Sequence, residues 1–306
     1  MRIGMVLGDS SGGLIGMIDQ IVQAEADGFD NFSIGQVFGV DALTLIALAG
    51  QRTSRIDMIT AVVPTYARHP YVMAQQAMTT QAATNGRLTL GIGLSHKPVI
   101  EGMWGMSYEH PAQHMREYLS VLLPLMREGK VAFKGEVFSV NAPLQAPVPK
   151  PPQVLIAALA PMMLRIAGEL ADGTATWMTG VKTIGTHVAP RINAAAKNAG
   201  RPAPRIVCAL PVVVTEDVQT AKERAARLFQ MYGTLPNYQR MLKIEGAESP
   251  GDVTIAGDEA AVERQLRDLA SGGVTDFSAG IFPVGDDAAG SVARTRALVK
   301  SLIGKL

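Results

Sequence analysis

Two histidines and a glutamate are spaced so that they could bind a metal. His110 and His114 lie four positions apart and Glu117 follows three positions later, so one face of a helix could carry all three side chains. The sequence lacks the glutamate of a zinc-binding HExxH motif, and Pro111 places His110 at a helix start. We therefore interpret these residues as surface or capping groups and predict no metal.

Three other features have simpler structural explanations. Positions 8–13 carry two serines between glycines, but they follow the first strand of an α/β chain, so we interpret them as a loop that caps a helix. Gly91 and Gly93 lack the third glycine of a dinucleotide-binding loop; they indicate either close approach of a ligand or tight interior packing. Cys208 is the only cysteine and lies in an apolar run, which predicts an inert core residue.

His96 is the histidine best placed for proton transfer. It directly follows a predicted strand in which Gly91 and Gly93 leave room for a ligand. A neutral imidazole can accept or donate a proton near neutral pH, so His96 is the candidate catalytic residue. A role in stacking on a ring or in hydrogen bonding is an equally open alternative.

The order of the predicted elements indicates a barrel. Short β-branched runs bounded by turn residues alternate with segments of helical period. The predicted strands are 3–7, 31–35, 56–63, 88–94, 154–158, 175–179, 206–214 and 276–282. The predicted helices are 14–26, 41–51, 70–83, 111–126, 161–170, 183–198, 217–231 together with 259–269, and 288–302. Eight strands with eight crossovers predict an α/β fold, a (β/α)8 TIM barrel that forms one domain over 1–306.

Two insertions follow the fourth and seventh predicted strands, at 97–110 and 233–254. Active sites of such barrels lie at the carboxyl ends of the strands, so we expect these insertions to form walls or lids, with Tyr238 as a lid residue. A third stretch, 129–153, is expected to contain a small hairpin around 135–138.

The composition favours a small molecule as the ligand. Lys and Arg together number 28 and Asp and Glu 27, so neither nucleic acid nor an anionic membrane is expected as a partner. The amino-terminal residues lack the apolar middle of a signal peptide, and no apolar run approaches the roughly 18 residues of a membrane span. We expect a cytoplasmic protein and, as the commonest soluble assembly, a homodimer.

Several motifs along the chain carry a family resemblance. The run TAVVPTYARHP at 60–70 resembles the third strand and third helix of the luciferase-like oxidoreductases, and most closely of the branch that uses the deazaflavin coenzyme F420. Further similarity lies at 86–93, 116–119, 135–138 and 171–173. These motifs occur in the family's order and extend over nearly the whole chain.

The resemblance implies specific positions for a flavin-like cofactor. A non-prolyl cis peptide is expected at Thr60–Ala61, on the floor of the largest apolar pocket at the barrel mouth. Gln36 and His96 match positions that face the ring or the substrate. The residues that would contact the ring are Thr60, Ala61, Val62 and Val63. Those that would hold the ribityl chain and phosphate are Ala158, Leu159 and Ala160, with Trp177, Met178, Thr179 and Gly180 on a neighbouring strand end.

One departure affects the expected chemistry. Relatives that oxidise sugars or alcohols with F420 have an acidic residue followed by His at the end of strand two, where this chain has Gln36-Val37-Phe38. The general base at that position is absent, which directs attention to His96. The resemblance implies an F420-dependent oxidoreductase that transfers hydride between the deazaflavin and a small organic substrate. The alternatives are an FMN-dependent monooxygenase that uses oxygen and a non-catalytic flavin-binding relative.

Overall fold

A computed structural model describes residues 1–8, 12–36, 38–145 and 150–306, and at its centre eight parallel strands close into a barrel. The strands are β1 (Arg2–Val6), β2 (Asn31–Ile34), β3 (Asp57–Thr60), β4 (Val63–Pro64), β5 (Leu88–Gly93), β6 (Lys130–Lys134), β7 (Ser139–Pro143), β8 (Gln153–Ala157), β9 (Gly173–Trp177), β10 (Arg205–Val214), β11 (Ile255–Gly257) and β12 (Asp276–Ile281). The barrel order is β1-β2-β3-β5-β8-β9-β10-β12, and β12 pairs with β1 to close it. The predicted (β/α)8 barrel is confirmed.

Helices surround the barrel and connect its strands. They are α1 (Gly13–Ala26), α2 (Ala42–Gly50), α3 (Pro70–Ala83), α4 (Pro111–Glu128), α5 (Pro161–Leu170), α6 (Val181–Thr183), α7 (Ala189–Asn198), α8 (Val218–Leu228), α9 (Gln230–Thr234), α10 (Pro236–Glu245), α11 (Glu259–Ser271) and α12 (Ala288–Ser301). A π-helical turn, Ile184–Val188, joins α6 to α7. Pro70, Pro111 and Pro161 each occupy a first helical turn, as predicted, because proline has no amide hydrogen to lose there.

The insertions are partly ordered into elements that the sequence did not indicate. Positions 97–110 contain a π-helical turn, Pro98–Met103, and positions 233–254 contain α10 and a 3-10 turn, Pro250–Val253. The short strand β11 pairs with the carboxyl-terminal half of β10. The hairpin expected around 135–138 is present as β6 and β7. Positions 9–11 of the serine-containing loop lie outside the described residues, as do Val37 and 146–149.

The third barrel strand is interrupted, and the cis peptide lies one residue later than expected. The ladder between β2 and β3 continues through Thr60, and the Ala61 amide still donates to the Ile34 carbonyl oxygen at 2.8 Å. The regular backbone therefore ends only after Ala61, and the cis bond is Ala61–Val62. The prediction of a cis Thr60–Ala61 bond was wrong by one position.

The Thr60 hydroxyl replaces the missing ladder contacts at this interruption. It donates to the Gly91 carbonyl oxygen at 2.7 Å and accepts from the Gly91 amide at 2.8 Å. The two backbones lie so close that a Cβ at Gly91 would come within 1.9 Å of the Thr60 carbonyl oxygen. Glycine is therefore required at position 91, and of the two explanations for Gly91, interior packing is the one that this contact supports.

Polar side chains fill the amino-terminal end of the barrel interior. The Arg205 guanidinium donates to Asp276 at 2.8 Å, Asp57 at 3.0 Å, Thr89 at 3.0 Å and Gln153 at 2.7 Å. Arg205 and Thr89 lie on β10 and β5, which are not neighbours, so this network crosses the interior. Burial disfavours the charge on Arg205, but the hydrogen bonds and charges of Asp276 and Asp57 outweigh burial and raise its pKa.

Side chains along each strand point alternately into and out of the barrel. The Arg205 network marks the inward positions at the amino-terminal end, and it therefore also identifies the inward positions of the layers that follow towards the carboxyl ends. An apolar layer follows two positions later on β3, β8, β9 and β10, formed by Ile59, Leu155, Ala175 and Val207. The next inward layer, at the carboxyl ends, contains mostly small residues: Gly35, Ala61, Gly93, Ala157, Ala209 and Gly280, with Trp177 as the large exception.

Cys208 points away from the barrel interior, into the apolar core between the strands and the helices. Burial raises the pKa of its thiol to about 12, in agreement with an inert residue.

None of the helices in the described parts of the chain is long and apolar enough to cross a membrane.

Replacing Arg205 with methionine is expected to lower the free energy of unfolding by about 2 to 3 kcal/mol, because Asp57 and Asp276 would lose the more buried of their two arginine partners and keep only Arg2, which is partly exposed. Denaturant unfolding measures this value. Arg267→Met is the matched control, since Arg267 forms an exposed pair with Glu263 and its loss should cost less than about 1 kcal/mol. Equal effects of the two substitutions would contradict the structural role of Arg205.

Replacing Thr60 with valine is expected to lower the free energy of unfolding by about 2 to 4 kcal/mol, because the amide and carbonyl of Gly91 would be left buried without partners. Thr60→Ser retains the hydroxyl and should cost about 1 kcal/mol, the value of one lost methyl group. Equilibrium denaturation of both variants provides the test. A serine variant that is less stable than the valine variant would show that packing, and not the hydroxyl, matters here.

Candidate active site at the carboxyl ends of the barrel strands

Small inward residues form a shallow cradle at the ends of β2, β3, β5 and β8. A Cβ at Gly93 would approach Val62 Cγ2 to 2.6 Å and the Ala157 Cβ to 3.2 Å, and a Cβ at Gly35 would lie 3.4 Å from the Ala61 carbonyl oxygen. Gly35 is exposed and Ala61 is half-buried, so this side of the mouth is open to solvent. The absence of side chains above an apolar floor fits a flat ring system.

Aromatic side chains fill the opposite side of the mouth. The Trp177 indole extends from β9 past Ala209 on β10, and its Cη2 would lie 3.3 Å from a Cβ at Gly280 on β12. Phe229 and Tyr232 pack edge-on against this indole, with ring centroids 5.4 and 6.1 Å away. Trp177 therefore forms a side wall of the cradle and limits how far a ring can extend towards β12.

His96 lies at the rim of the cradle, next to Tyr238. The two ring centroids are 5.9 Å apart, and Tyr238 also packs edge-on against Tyr232 at 5.1 Å. Burial lowers the pKa of His96, so its imidazole is neutral at neutral pH. Burial and the nearby Tyr232 raise the pKa of the Tyr238 hydroxyl, which therefore stays protonated. The pair combines a neutral imidazole with a protonated phenol beside the cradle.

Two of the predicted ring contacts use their side chains elsewhere. The Gln36 Oε1 accepts from the Ala42 amide at 3.0 Å, so this side chain turns back to the start of α2. Thr60 is fully buried, and its hydroxyl bonds to the backbone of Gly91. The structure places Ala61 and Val62 at the cradle surface, where both are half-buried, whereas Val63 is buried in the core.

The two segments predicted to hold the ribityl chain and phosphate follow neighbouring strands, because β8 pairs with β9. Ala158 is buried, and the Leu159 carbonyl oxygen accepts from His187 Nε2 at 2.7 Å. Ala160 is the residue that precedes α5. The segments therefore come together as expected, but their accessible groups lie mainly on the Ala160 side.

The second of these segments is buried, and its polar groups have internal partners. Met178 and Thr179 are buried, and the Thr179 hydroxyl donates to the Trp177 carbonyl oxygen at 3.0 Å. Beyond Gly180, the amides of Lys182 and Thr183 donate to the Glu245 carboxylate at 3.1 and 2.7 Å. Backbone amides at this turn therefore bind an anionic group, and in this structure the chain itself supplies it.

The candidate metal ligands are separated by their other partners. His114 Nε2 lies 3.1 Å from Thr65 Oγ1, and burial lowers the pKa of His114 to about 4. The Glu117 carboxylate accepts from the amides of Val137 and Phe138 at 2.8 and 3.0 Å, which anchors the hairpin. His110 is exposed at the start of α4. In residues 1–8, 12–36, 38–145 and 150–306 no cluster of three such side chains could hold a metal ion.

Two cavities lie away from the cradle. One of about 320 Å³ is bordered by Thr65, Tyr66, His114 and Phe138, and one of about 620 Å³ lies between α4 and the β6–β7 hairpin. Neither includes Ala61 or Val62, which were expected at the floor of the largest pocket. The expectation that this peptide lies at the floor of the largest apolar pocket therefore stays a prediction.

Sequence reasoning missed Glu245 and the two aromatic partners of Trp177, Phe229 and Tyr232. Glu245 ends a polar helix and has no motif around it, so no local signal marks it. The small residues at the strand ends did carry a signal. Gly35, Ala61, Gly93, Ala157 and Gly280 all fall at inward positions of the alternating pattern, and a barrel-wide comparison of these positions would have found the cradle.

Comparison with known proteins identifies the family of this chain. Residues 2–303 match the family model described as luciferase-like monooxygenase. An uncharacterized protein of Mycobacterium tuberculosis is 30% identical over 243 residues, which cover 74% of this chain and 71% of the relative. The F420-dependent glucose-6-phosphate dehydrogenase of Intrasporangium calvum is 31% identical over 173 residues, which cover 51% of this chain and 52% of that enzyme.

The same likeness is seen in solved structures. The coenzyme F420 dependent tetrahydromethanopterin reductase from Methanopyrus kandleri superimposes with a TM-score of 0.79 and 20% identity, over 98% of this chain and 97% of that one. At this identity the likeness concerns the fold. The family model, however, covers nearly the whole sequence, and the chain belongs to the luciferase-like monooxygenase family of oxidoreductases.

Proposed function

We propose that this protein is an F420-dependent oxidoreductase that transfers hydride between the deazaflavin and a small organic substrate. The observation that carries the proposal is the cradle of small residues beside His96, in a chain of this family. A relative that is 31% identical is named an F420-dependent glucose-6-phosphate dehydrogenase, which supports the choice of cofactor. F420, when bound, would supply the hydride chemistry, and the protein would supply position and proton transfer.

The cradle residues would hold the ring. Ala61 and Val62 would support one face, while Gly93 and Ala157 leave space for it and Trp177 limits it on the β12 side. The ribityl chain and phosphate of the cofactor, its tail, would extend from the ring across the ends of β8 and β9, towards Ala158–Ala160 and Trp177–Gly180. No side chain among the described residues caps the start of α5, so the amides that follow Pro161 there suit an anionic tail.

His96 would move the proton that accompanies hydride transfer. Within the described residues its ring has no hydrogen-bond partner, so both nitrogens are free for a substrate. Its lowered pKa makes the neutral form dominant at neutral pH, and a neutral imidazole accepts a proton from a substrate that is being oxidised. Tyr238, which stays protonated, would orient the imidazole or the substrate oxygen from the other side.

A second candidate is a monooxygenase that uses reduced FMN and oxygen. The description of the matching family model favours it, and a shallow cradle accepts a flavin as well as a deazaflavin. The end of β2 is also consistent with it, because Gln36 caps α2 and no acidic base occupies that position. The two candidates differ in cofactor, so a binding measurement separates them.

Purified protein is expected to bind F420 at least about tenfold more tightly than FMN, measured by fluorescence titration. Gly93→Ala should weaken F420 binding at least about tenfold, because the new Cβ would occupy the cradle next to Val62. Gly102→Ala is the matched control, since a Cβ at Gly102 meets nothing within 4 Å. Tighter binding of FMN would favour the monooxygenase, and binding of neither cofactor would contradict both candidates.

His96→Ala is expected to lower turnover by about a hundredfold or more while the affinity for F420 changes less than about threefold. The substrate would come from a screen of alcohols and unsaturated carbonyl compounds, followed by the absorbance of F420. In the direction of substrate oxidation, kcat/KM should fall as the pH drops through the lowered pKa of His96, below 6.5, and His96→Ala should lose this limb. His69→Ala, at an exposed helix start, is the control. Unchanged turnover with weakened F420 binding would instead assign His96 to positioning the ring.

A further inference from the structure

Helix α10 is fastened at its carboxyl-terminal end by one carboxylate. Glu245, the last residue of α10, accepts from the amides of Lys182 and Thr183 at 3.1 and 2.7 Å. The Thr183 hydroxyl adds a bond to the Met241 carbonyl oxygen at 3.2 Å. A Cβ at Gly180 would come within 2.4 Å of the Glu245 carboxylate carbon, so the absence of a side chain at Gly180 allows this approach. These contacts join α10 to the segment that follows β9.

The amino-terminal part of α10, together with α9, covers part of the barrel mouth. Tyr238 on α10 packs against His96, which follows β5, and Tyr232 on α9 packs against Trp177 at the end of β9. The strand between β5 and β9 in the barrel is β8. The two tyrosines touch each other, so together they bridge across the end of β8, where Ala158 is buried.

The segment from Gln230 to Glu245 has few anchors apart from these. Leu235, Met241 and Leu242 are its buried residues, and α9 alone buries none. Gly246 ends α10 in the left-handed conformation, and its amide donates to the Leu242 carbonyl oxygen at 2.9 Å, as is usual for a helix-ending glycine. Only three of the 16 residues of the segment are buried, so we expect it to open at lower free energy than the barrel that it covers.

The sequence already indicates that the insertion after β10 forms a wall or lid. We propose that Glu245 is the latch of this lid, the segment Gln230–Glu245: its carboxylate holds Tyr238 against His96 and must release to admit the tail of the cofactor. The inference rests on the proposed function for the identity of the cofactor, whereas the latch itself is a property of the free protein. Glu245 is then a positioning residue. It acts on the site through α10 and does not touch substrate or cofactor.

The latch dominates lid closure because amide hydrogen bonds to a carboxylate are stronger than those between neutral groups. With Glu245 replaced by alanine, the Lys182 and Thr183 amides lose their partner. Among the described residues, α10 then retains the Thr183–Met241 bond and its apolar contacts. Glutamine at this position still offers one amide oxygen as an acceptor. The order of lid opening should therefore be Glu245→Ala, then Glu245→Gln, then the unaltered protein.

Hydrogen–deuterium exchange on the cofactor-free protein tests the latch. In Glu245→Ala the amides of α10 and those of Lys182 and Thr183 should exchange at least about tenfold faster, and Glu245→Gln should be intermediate. Glu248→Ala is the matched control, since Glu248 is an exposed acid three positions further on. Exchange in α11 serves as an internal reference. Equal exchange of α10 in Glu245→Ala and Glu248→Ala, or a parallel increase in α11, would overturn the proposal.

The rates of cofactor binding distinguish a failure of the lid proposal from a failure of the proposed function. Stopped-flow mixing with F420 and with FMN should show association and dissociation both faster in Glu245→Ala, by about the same factor as the exchange. Faster exchange without binding of either cofactor would support the latch and contradict the proposed function. Binding with identical rates in Glu245→Ala and the unaltered protein would contradict the role of the lid and leave the proposed function standing.

Discussion

The charge of Arg205 inside the amino-terminal end of the barrel is the interaction on which the rest of the interior depends. Its guanidinium reaches side chains on β3, β5, β8 and β12, so a single group connects β10 to four other strands. Burying such a charge is unfavourable unless carboxylates balance it, as Asp57 and Asp276 do here. Strand alternation then determines which positions face inward in every layer above the network.

The carboxyl-terminal end differs because its inward positions carry little side-chain volume. Glycine and alanine at four strand ends leave an open, apolar floor, and the Thr60 hydroxyl keeps β3 attached to β5 where the backbone ladder stops. The amino-terminal end of the barrel thus holds the strands together, and the carboxyl-terminal end leaves room for a ligand. A substitution at the polar end should act on stability, whereas one at the cradle should act mainly on ligand affinity.

Burial, rather than nearby charge, sets the protonation states at the mouth. His96 has its pKa lowered and Tyr238 has its pKa raised, in both cases chiefly because the charged form is poorly solvated. Their contact depends on where α10 lies, and α10 is fastened by Glu245. If His96 transfers the proton and α10 covers the site, as proposed, both processes depend on the position of this one helix.

The sequence determined the fold of this protein, because local hydrophobic periodicity predicts its strands and helices. Helix starts such as Pro70, Pro111 and Pro161 add to this prediction. It also indicated which strand ends form the mouth and that the segments after β8 and β9 are neighbours. Only the tertiary structure decided where individual side chains point. Gln36 turns to cap α2, Thr60 bonds to β5, and Glu245 meets amides that lie 62 and 63 positions earlier in the chain. Hydrogen-bond partners so distant in sequence, or supplied by backbone, leave no periodic pattern from which they could be predicted.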